Sequence, residues 1–205
     1  MDVRSNVFCA SGMHLPNGSY VAFGGNNAVG QGGNSLNNPD GSVQTWNSVY
    51  QDFDGGKSIR VLNPCTSQDN MQASQCSWFD DDTILSMKHR RWYSAAEPLQ
   101  DGSVIIIGGF VNGGYINRNY PNTDPAFSGG AADPTYEFYP ARSGDPQQFD
   151  FLVQTSGLNS YPHTFLMPSG KLFVQANVST SKYYLKPVNP ELTSVKRYGT
   201  MMPTP

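Results

Sequence analysis

Charge is scarce in these 205 residues: Asp, Glu, Lys and Arg make up 14% of the chain, against roughly 25% in an average soluble domain. The net charge is −3, and no block of Lys or Arg offers a surface for a phosphate backbone or an anionic membrane. Nucleic acid and membrane are therefore not expected partners. Long apolar runs are missing too, since no stretch approaches the ~18 residues a bilayer span needs. The opening Met1-Asp2-Val3-Arg4-Ser5-Asn6 has neither the basic nor the apolar region of a secretory signal. Because other features point outside the cell, the expectation is that the true N-terminus lies upstream. Histidine and cysteine are down to three residues each, which limits any metal site built from this chain alone.

What is plentiful is turn chemistry. With 21 Gly, 15 Pro and 12% aromatics, the composition reads as short strands joined by many turns, an all-β class. The length suits one domain, and 38% hydrophobic residues suffice for a core. Cys65 and Cys76 flank ten residues of polar loop, which suits a local disulfide in an oxidising compartment, with two free thiols as the alternative. Cys9 is left over. Two sequons, at Asn17 and Asn177, allow glycosylation.

An internal repeat carries more information. Its copies are Met13-His14-Leu15-Pro16-Asn17-Gly18-Ser19-Tyr20-Val21-Ala22-Phe23-Gly24-Gly25, then Pro98-Leu99-Gln100-Asp101-Gly102-Ser103-Val104-Ile105-Ile106-Ile107-Gly108-Gly109, then Phe165-Leu166-Met167-Pro168-Ser169-Gly170-Lys171-Leu172-Phe173-Val174-Gln175-Ala176-Asn177. Each is an apolar run, a tight turn and a second apolar run. Asn-Gly and Asp-Gly predict a type I′ hairpin turn. The Gly-Gly that closes two copies predicts a close approach of backbone to backbone. Outer strands are expected at 59–62, 136–139 and 182–185.

A hairpin ending in Gly-Gly and followed by outer strands resembles the kelch blade. That resemblance implies a kelch-type β-propeller over residues 1–205, with hairpin cores near 13–25, 95–109 and 164–177. The turn glycines are 84 and then 68 residues apart, against ~50 for kelch repeats. Long inserted loops are therefore expected at 26–56 and 112–134. About three blades would be present of a larger, seven-bladed ring, so the chain is expected to be incomplete at both ends.

Counting back from the turn glycines gives the sharpest inference. Cys9, Tyr93 and Tyr161 each stand nine residues before Gly18, Gly102 and Gly170. If the blades superpose, the three occupy equivalent positions at the entrance of the innermost strand, where a propeller's central channel opens. A thiol and a phenol held there as neighbours could react. Taken singly, Cys9 reads equally well as a small core residue and Tyr93 as a core aromatic.

Phe8-Cys9-Ala10-Ser11-Gly12 resembles the Phe-Cys-x-x-Gly segment of glyoxal oxidases and, more distantly, of galactose oxidase. Arg90-Arg91-Trp92-Tyr93-Ser94 resembles their Arg-Trp-Tyr motif. The stretches 106–119 and 158–170 are similar to fungal glyoxal oxidases almost throughout. The resemblance implies a mononuclear copper held by two tyrosines, two histidines and solvent, with one tyrosine joined to a cysteine by a thioether. Carried onto this chain, Tyr93 is a copper(II) ligand and forms the Cys-Tyr radical cofactor with Cys9. A small aldehyde would become a carboxylic acid while O2 becomes H2O2 for peroxide-consuming enzymes to use, in a secreted, extracellular protein.

The other ligands do not carry over. The family takes a Tyr-His pair and a further histidine from later regions, and this chain has no Tyr-His dipeptide. The chain alone is therefore expected to be inactive. His14 reads as a core or surface histidine, and His163 as a poor substitute ligand beside Tyr161. His89, within Lys88-His89-Arg90-Arg91, reads as solvated next to like charge, or the cluster as one that flanks the channel mouth and lowers a nearby phenol's pKa. Asp80-Asp81-Asp82 reads as exposed. Two other functions remain open: a non-catalytic kelch module that binds proteins or glycans, and a galactose-oxidase-like alcohol oxidase. The latter stacks a Trp eighteen residues after its tyrosine, where this chain has Val111.

Overall fold

In the computed structural model, which describes residues 3–33, 44–111, 132–154, 160–175 and 181–184, each repeat copy forms an antiparallel hairpin. The strands run β1 (Ser11–His14), β2 (Tyr20–Phe23), β3 (Trp46–Asn47), β4 (Asp52–Phe53), β5 (Ile59–Leu62), β6 (Ala95–Pro98), β7 (Val104–Ile107), β8 (Thr135–Tyr139), β9 (Gln147–Gln148), β10 (His163–Leu166), β11 (Leu172–Gln175) and β12 (Ser181–Tyr184). The five-residue helix α1 (Asp150–Gln154) lies between β9 and β10. Three antiparallel sheets result, ordered β1-β2-β5, β6-β7-β8-β9 and β10-β11-β12, with β3-β4 as a separate ribbon. The all-β expectation holds. Among the described residues the sheets do not close into a ring.

The hairpin turns are alike, and they differ from the expected type I′. The carbonyls of Leu15, Leu99 and Met167 accept the amides of Gly18, Gly102 and Gly170 at 2.9, 3.0 and 2.8 Å. The same three residues donate their own amides to the carbonyls of Ser19, Ser103 and Lys171 at 2.7, 2.7 and 2.8 Å. Positive φ falls on the glycines, at 85°, 83° and 75°, and on none of Asn17, Asp101 and Ser169. This is a type I turn followed by a left-handed glycine, the three-residue hairpin loop. Pro16 and Pro168 explain the correction: their fixed φ near −65° suits the first central position of a type I turn. The Asn and Asp act through their side chains, since Asn17 Oδ1 accepts the Ser19 amide and Asp101 Oδ1 the Ser103 amide, both at 3.0 Å.

The middle sheet owes its place to a run with no polar alternation. Val104, Ile105, Ile106 and Ile107 are all buried. Successive strand residues point to opposite faces, so β7 buries both. Val104 and Ile106 pack on Val21, Phe23 and Ile59 of the first sheet and on Met87. Ile105 and Ile107 pack with Leu99, Phe149, Leu152 and, from the third sheet, Leu172 and Val174. In β2 and β11 buried and half-buried positions alternate. Each buried aliphatic side chain is worth about 1.5–3 kcal/mol, so two apolar seams hold the three sheets side by side.

The loop expectation is met in part. Within 26–56, Asn26, Asn27 and Ala28 are buried and β3 pairs with β4. Most of 112–134 and the sequon residue Asn177 lie outside the described residues. Asn17 is exposed at the tip of its turn. Cys65 and Cys76 form a disulfide, with Cα atoms 5.7 Å apart, and Cys9 is the free cysteine.

Candidate functional site

Cys9, Tyr93 and Tyr161 share an unusual backbone conformation. Their φ angles are 60°, 62° and 46°, and Gln51 is the other non-glycine with positive φ among the described residues. Residues with a Cβ rarely adopt this region, which costs about 1–2 kcal/mol each. Three instances at one repeat position mark a shared structural device. The left-handed residue turns the chain into the first strand of each hairpin. The Tyr93 amide donates to the Cys9 carbonyl at 3.2 Å, and the Tyr161 amide to the Tyr93 carbonyl at 2.7 Å. A hydrogen-bonded line thus runs from sheet to sheet through the three positions.

The residues before Tyr93 hold it there. Arg91 is fully buried, with Nε donating to Glu137 Oε1 at 2.7 Å and its terminal nitrogens to the Gly108 and Thr135 carbonyls and the Thr135 hydroxyl. Trp92 exchanges two backbone hydrogen bonds with Phe110, at 2.9 and 2.7 Å. The Trp92 indole donates to the Phe8 carbonyl at 3.1 Å and lies against Tyr93 with ring centroids 4.4 Å apart. Tyr93 is met edge-on by Tyr161, with ring centroids 5.0 Å apart, and by Phe110 at 6.4 Å. Gly24 lets the neighbouring sheet come in, because a Cβ there would sit 2.0 Å from the Arg91 carbonyl oxygen.

A hydrogen bond to the Cys9 sulfur, then burial, then the charge Cys9 would carry push the Tyr93 pKa up to about 12. Burial first, then Cys9 and Tyr93, push Tyr161 up as well. Both phenols are thus held protonated in the metal-free protein.

Of the Lys88–Arg91 cluster, Lys88 is exposed and the His89 side chain is 44% exposed, whereas the idea that the cluster lowers a phenol's pKa is corrected. Arg91 is buried, Arg90 pairs with Asp54 and donates to the Val111 carbonyl, and His89 Nδ1 lies 2.7 Å from Asp133 Oδ2. The positive charge is spent on buried acceptors before it reaches Tyr93, whose pKa rises instead. Asp80 is corrected likewise, since its carboxylate accepts the amides of Arg4 and Ser5 and the Ser5 hydroxyl, 3.7 Å from buried Arg60. His14 packs on Tyr20, and His163 is exposed on β10.

Among the described residues no group of three or more His, Cys, Asp or Glu could hold a metal ion. A phenol such as that of Tyr93 has the donor chemistry of a copper ligand, while imidazole ligands would have to come from elsewhere. Clefts of about 600 and 510 Å³ lie beside Arg4 and Ser5, lined by Tyr50 and Asp52 in one case and by Asp80 to Thr83 in the other. Neither is lined by Cys9 or Tyr93. The equal spacing had brought out all three left-handed residues. Glu137 and Asp133 were missed, since only folding brings them to Arg91 and His89.

No family model matches the chain. It is 27% identical over 186 residues to an aldehyde oxidase, GLOX, of Vitis pseudoreticulata, covering 89% of this chain and 25% of that protein. The chain is glyoxal-oxidase-like in sequence. A protein of Artemisia annua, Art an 7, named for an inferred aldehyde oxidase activity, is 25% identical over 187 residues, covering 86% of this chain and 23% of its own length. This glyoxal-oxidase-like chain therefore spans about a quarter of the length of these two relatives. A WSC domain-containing protein of Arthroderma benhamiae is 26% identical over 174 residues, or 84% of this chain and 14% of that protein. A fungal alcohol oxidase of the AA5 family, solved with copper, superposes with a TM-score of 0.49 at 15% identity, covering 97% of this chain and 32% of the other. A likeness that loose carries no argument.

Proposed function

We propose that residues 1–205 are part of the kelch-type propeller of a secreted copper-radical oxidase that converts small aldehydes to carboxylic acids and reduces O2 to H2O2. Its redox cofactor is a thioether between Cys9 and Tyr93, and Tyr93 is a copper ligand. The observation that carries the reading is the placement of Cys9 and Tyr93 at equivalent left-handed positions of adjacent sheets, joined by the Tyr93 amide on the Cys9 carbonyl at 3.2 Å. The similarity to an aldehyde oxidase supports the substrate class. The disulfide supports an oxidising compartment.

A sulfur ortho to the phenol oxygen delocalises an unpaired electron, so the Tyr93 ring stores one oxidising equivalent. Copper(II), when bound, supplies the second, as oxygen and nitrogen ligands suit it to do. The protein's own part is to hold the ring. Arg91 and Glu137 lock the strand entrance, Trp92, Phe110 and Tyr161 flank the phenol, and the backbone line fixes its distance from Cys9.

Intact-mass analysis after copper(II) and air tests the reading. A loss of two hydrogens mapped to a Cys9–Tyr93 peptide is expected. Unmodified residues in protein shown to have bound copper(II) would favour the binding module, because without bound copper the missing ligands alone prevent the crosslink. Because the chain has no Tyr-His pair, copper loading of these 205 residues is expected to give no peroxide from glyoxal, and robust turnover would contradict that part.

A further inference from the structure

The three histidines differ in what stands behind the ring. His14 is exposed and packs on Tyr20, and His163 is exposed on β10; neither has a carboxylate on its ring among the described residues. His89 does. Its Nδ1 lies 2.7 Å from Asp133 Oδ2, and the Asp133 side chain is 3% exposed where that of His89 is 44% exposed. Asp133 is fixed in turn: its amide donates to the Gly109 carbonyl at 2.9 Å, and its Oδ1 accepts the Thr135 amide at 3.1 Å and the Thr135 hydroxyl at 2.5 Å. The Lys88 and His89 amides both donate to Glu137, at 2.7 and 3.4 Å, which anchors the backbone that carries the ring.

These contacts choose the tautomer. A carboxylate only accepts, so Nδ1 keeps the hydrogen. The Thr135 hydroxyl, 3.5 Å from Nδ1, has its own hydrogen on Asp133 and can only accept there as well. In the neutral ring the lone pair therefore sits on Nε2. That atom has no partner among the described residues and is not buried, since the buried side-chain nitrogens and oxygens without a partner are Asn27 Nδ2 and Asp145 Oδ1. A carboxylate on one ring nitrogen also makes the other the stronger electron donor.

We propose that His89 is an acyl-acceptor site: Nε2 is the nucleophile for small activated acyl compounds such as anhydrides, and Asp133 is the positioning residue that directs the lone pair to solvent. In the step, Nε2 forms a bond to the acyl carbon, and the bond from that carbon to the leaving oxygen breaks with its electron pair on the oxygen. The ring takes a positive charge, balanced by Asp133, until the Nδ1 proton passes to the leaving group. Neither copper nor the Cys9–Tyr93 pair enters.

Diethyl pyrocarbonate is the probe. It leaves an ethoxyformyl group on the ring and releases ethanol and CO2, and peptide mass spectrometry reads each histidine of the metal-free 205-residue chain separately. Solvent access alone would put the more exposed His14 and His163 ahead of His89. The expected order is the reverse, with His89 labelled about tenfold faster than either, the effect of one charge-assisted hydrogen bond. Asp133→Asn keeps the shape and can turn an N–H toward Nδ1, so it is expected to erase the lead of His89 and to leave His163 unchanged. The comparison within wild type needs no variant, and decides even where Asp133→Asn does not fold. A wild type in which His89 is labelled no faster than His14 and His163, or a folded Asp133→Asn in which His89 keeps its lead, overturns the proposal.

Discussion

Arg91 and Glu137 meet at 2.7 Å behind Tyr93, both side chains almost wholly out of solvent. Glu137 also accepts the Lys88 amide at 2.7 Å, so one carboxylate ties the middle sheet to the segment leading into the Arg-Trp-Tyr motif. Removing one partner of a buried pair strands the other charge, which costs about 3–5 kcal/mol. Glu137→Ala is expected to lose that much in urea unfolding. A loss below about 1 kcal/mol, the usual range of an exposed ion pair, would mean water replaces the carboxylate.

Gly24 and Gly18 separate two reasons for a glycine. Both have positive φ, but a Cβ on Gly18 meets nothing closer than 3.6 Å, whereas one on Gly24 meets the Arg91 carbonyl oxygen at 2.0 Å. Gly18→Ala is expected to cost about 1–2 kcal/mol for conformation alone. Gly24→Ala is expected to cost clearly more, because two sheets must separate. Equal unfolding midpoints for the two variants would refute the close approach as the reason for the pair.

The middle sheet should be the most sensitive to truncation. Ile106 is fully buried and Phe165 is 57% exposed. Ile106→Ala is expected to destabilise by about 2–5 kcal/mol, and Phe165→Ala by no more than about 0.5 kcal/mol. Thermal and urea unfolding of both would show whether the two-sided burial of β7 carries the packing.

Glu97 supplies a pH test. It joins the second and third sheets, accepting the Leu166 amide at 2.8 Å and the Thr164 hydroxyl at 3.4 Å. Burial raises its pKa above 4.5, and those two hydrogen bonds oppose the shift. The folded state therefore favours the neutral acid. Its contribution is full below the unfolded value and is lost as pH rises through the folded one. Stability of wild type is expected to fall across that window, and Glu97→Gln to remove the fall. A Tm-against-pH profile identical in both proteins would assign the titration elsewhere.

Much of the site was legible because it repeats. Nine-residue spacing to a turn glycine placed Cys9, Tyr93 and Tyr161 together without any long-range information. The turn type was misread because the Asn-Gly pair was weighed without the preceding Pro16, whose fixed φ suits the first central position of a type I turn and whose missing amide cannot close the two-residue hairpin. The effect of the cationic cluster on a nearby phenol was misread for a different cause. Charge counts along the chain cannot register that Glu137 and Asp133, more than forty residues onward, fold back as its partners.

The sequence by itself determined the strands, the places of their hairpin turns and the equivalence of three positions, because hydrophobic runs and turn residues act over a few residues. Only the tertiary structure decided what those positions do to one another. Contacts between sheets depend on where whole strands pack, and that packing joined Cys9, Tyr93 and Tyr161 in one backbone line, withdrew Arg91 into a buried ion pair and raised the pKa of Tyr93.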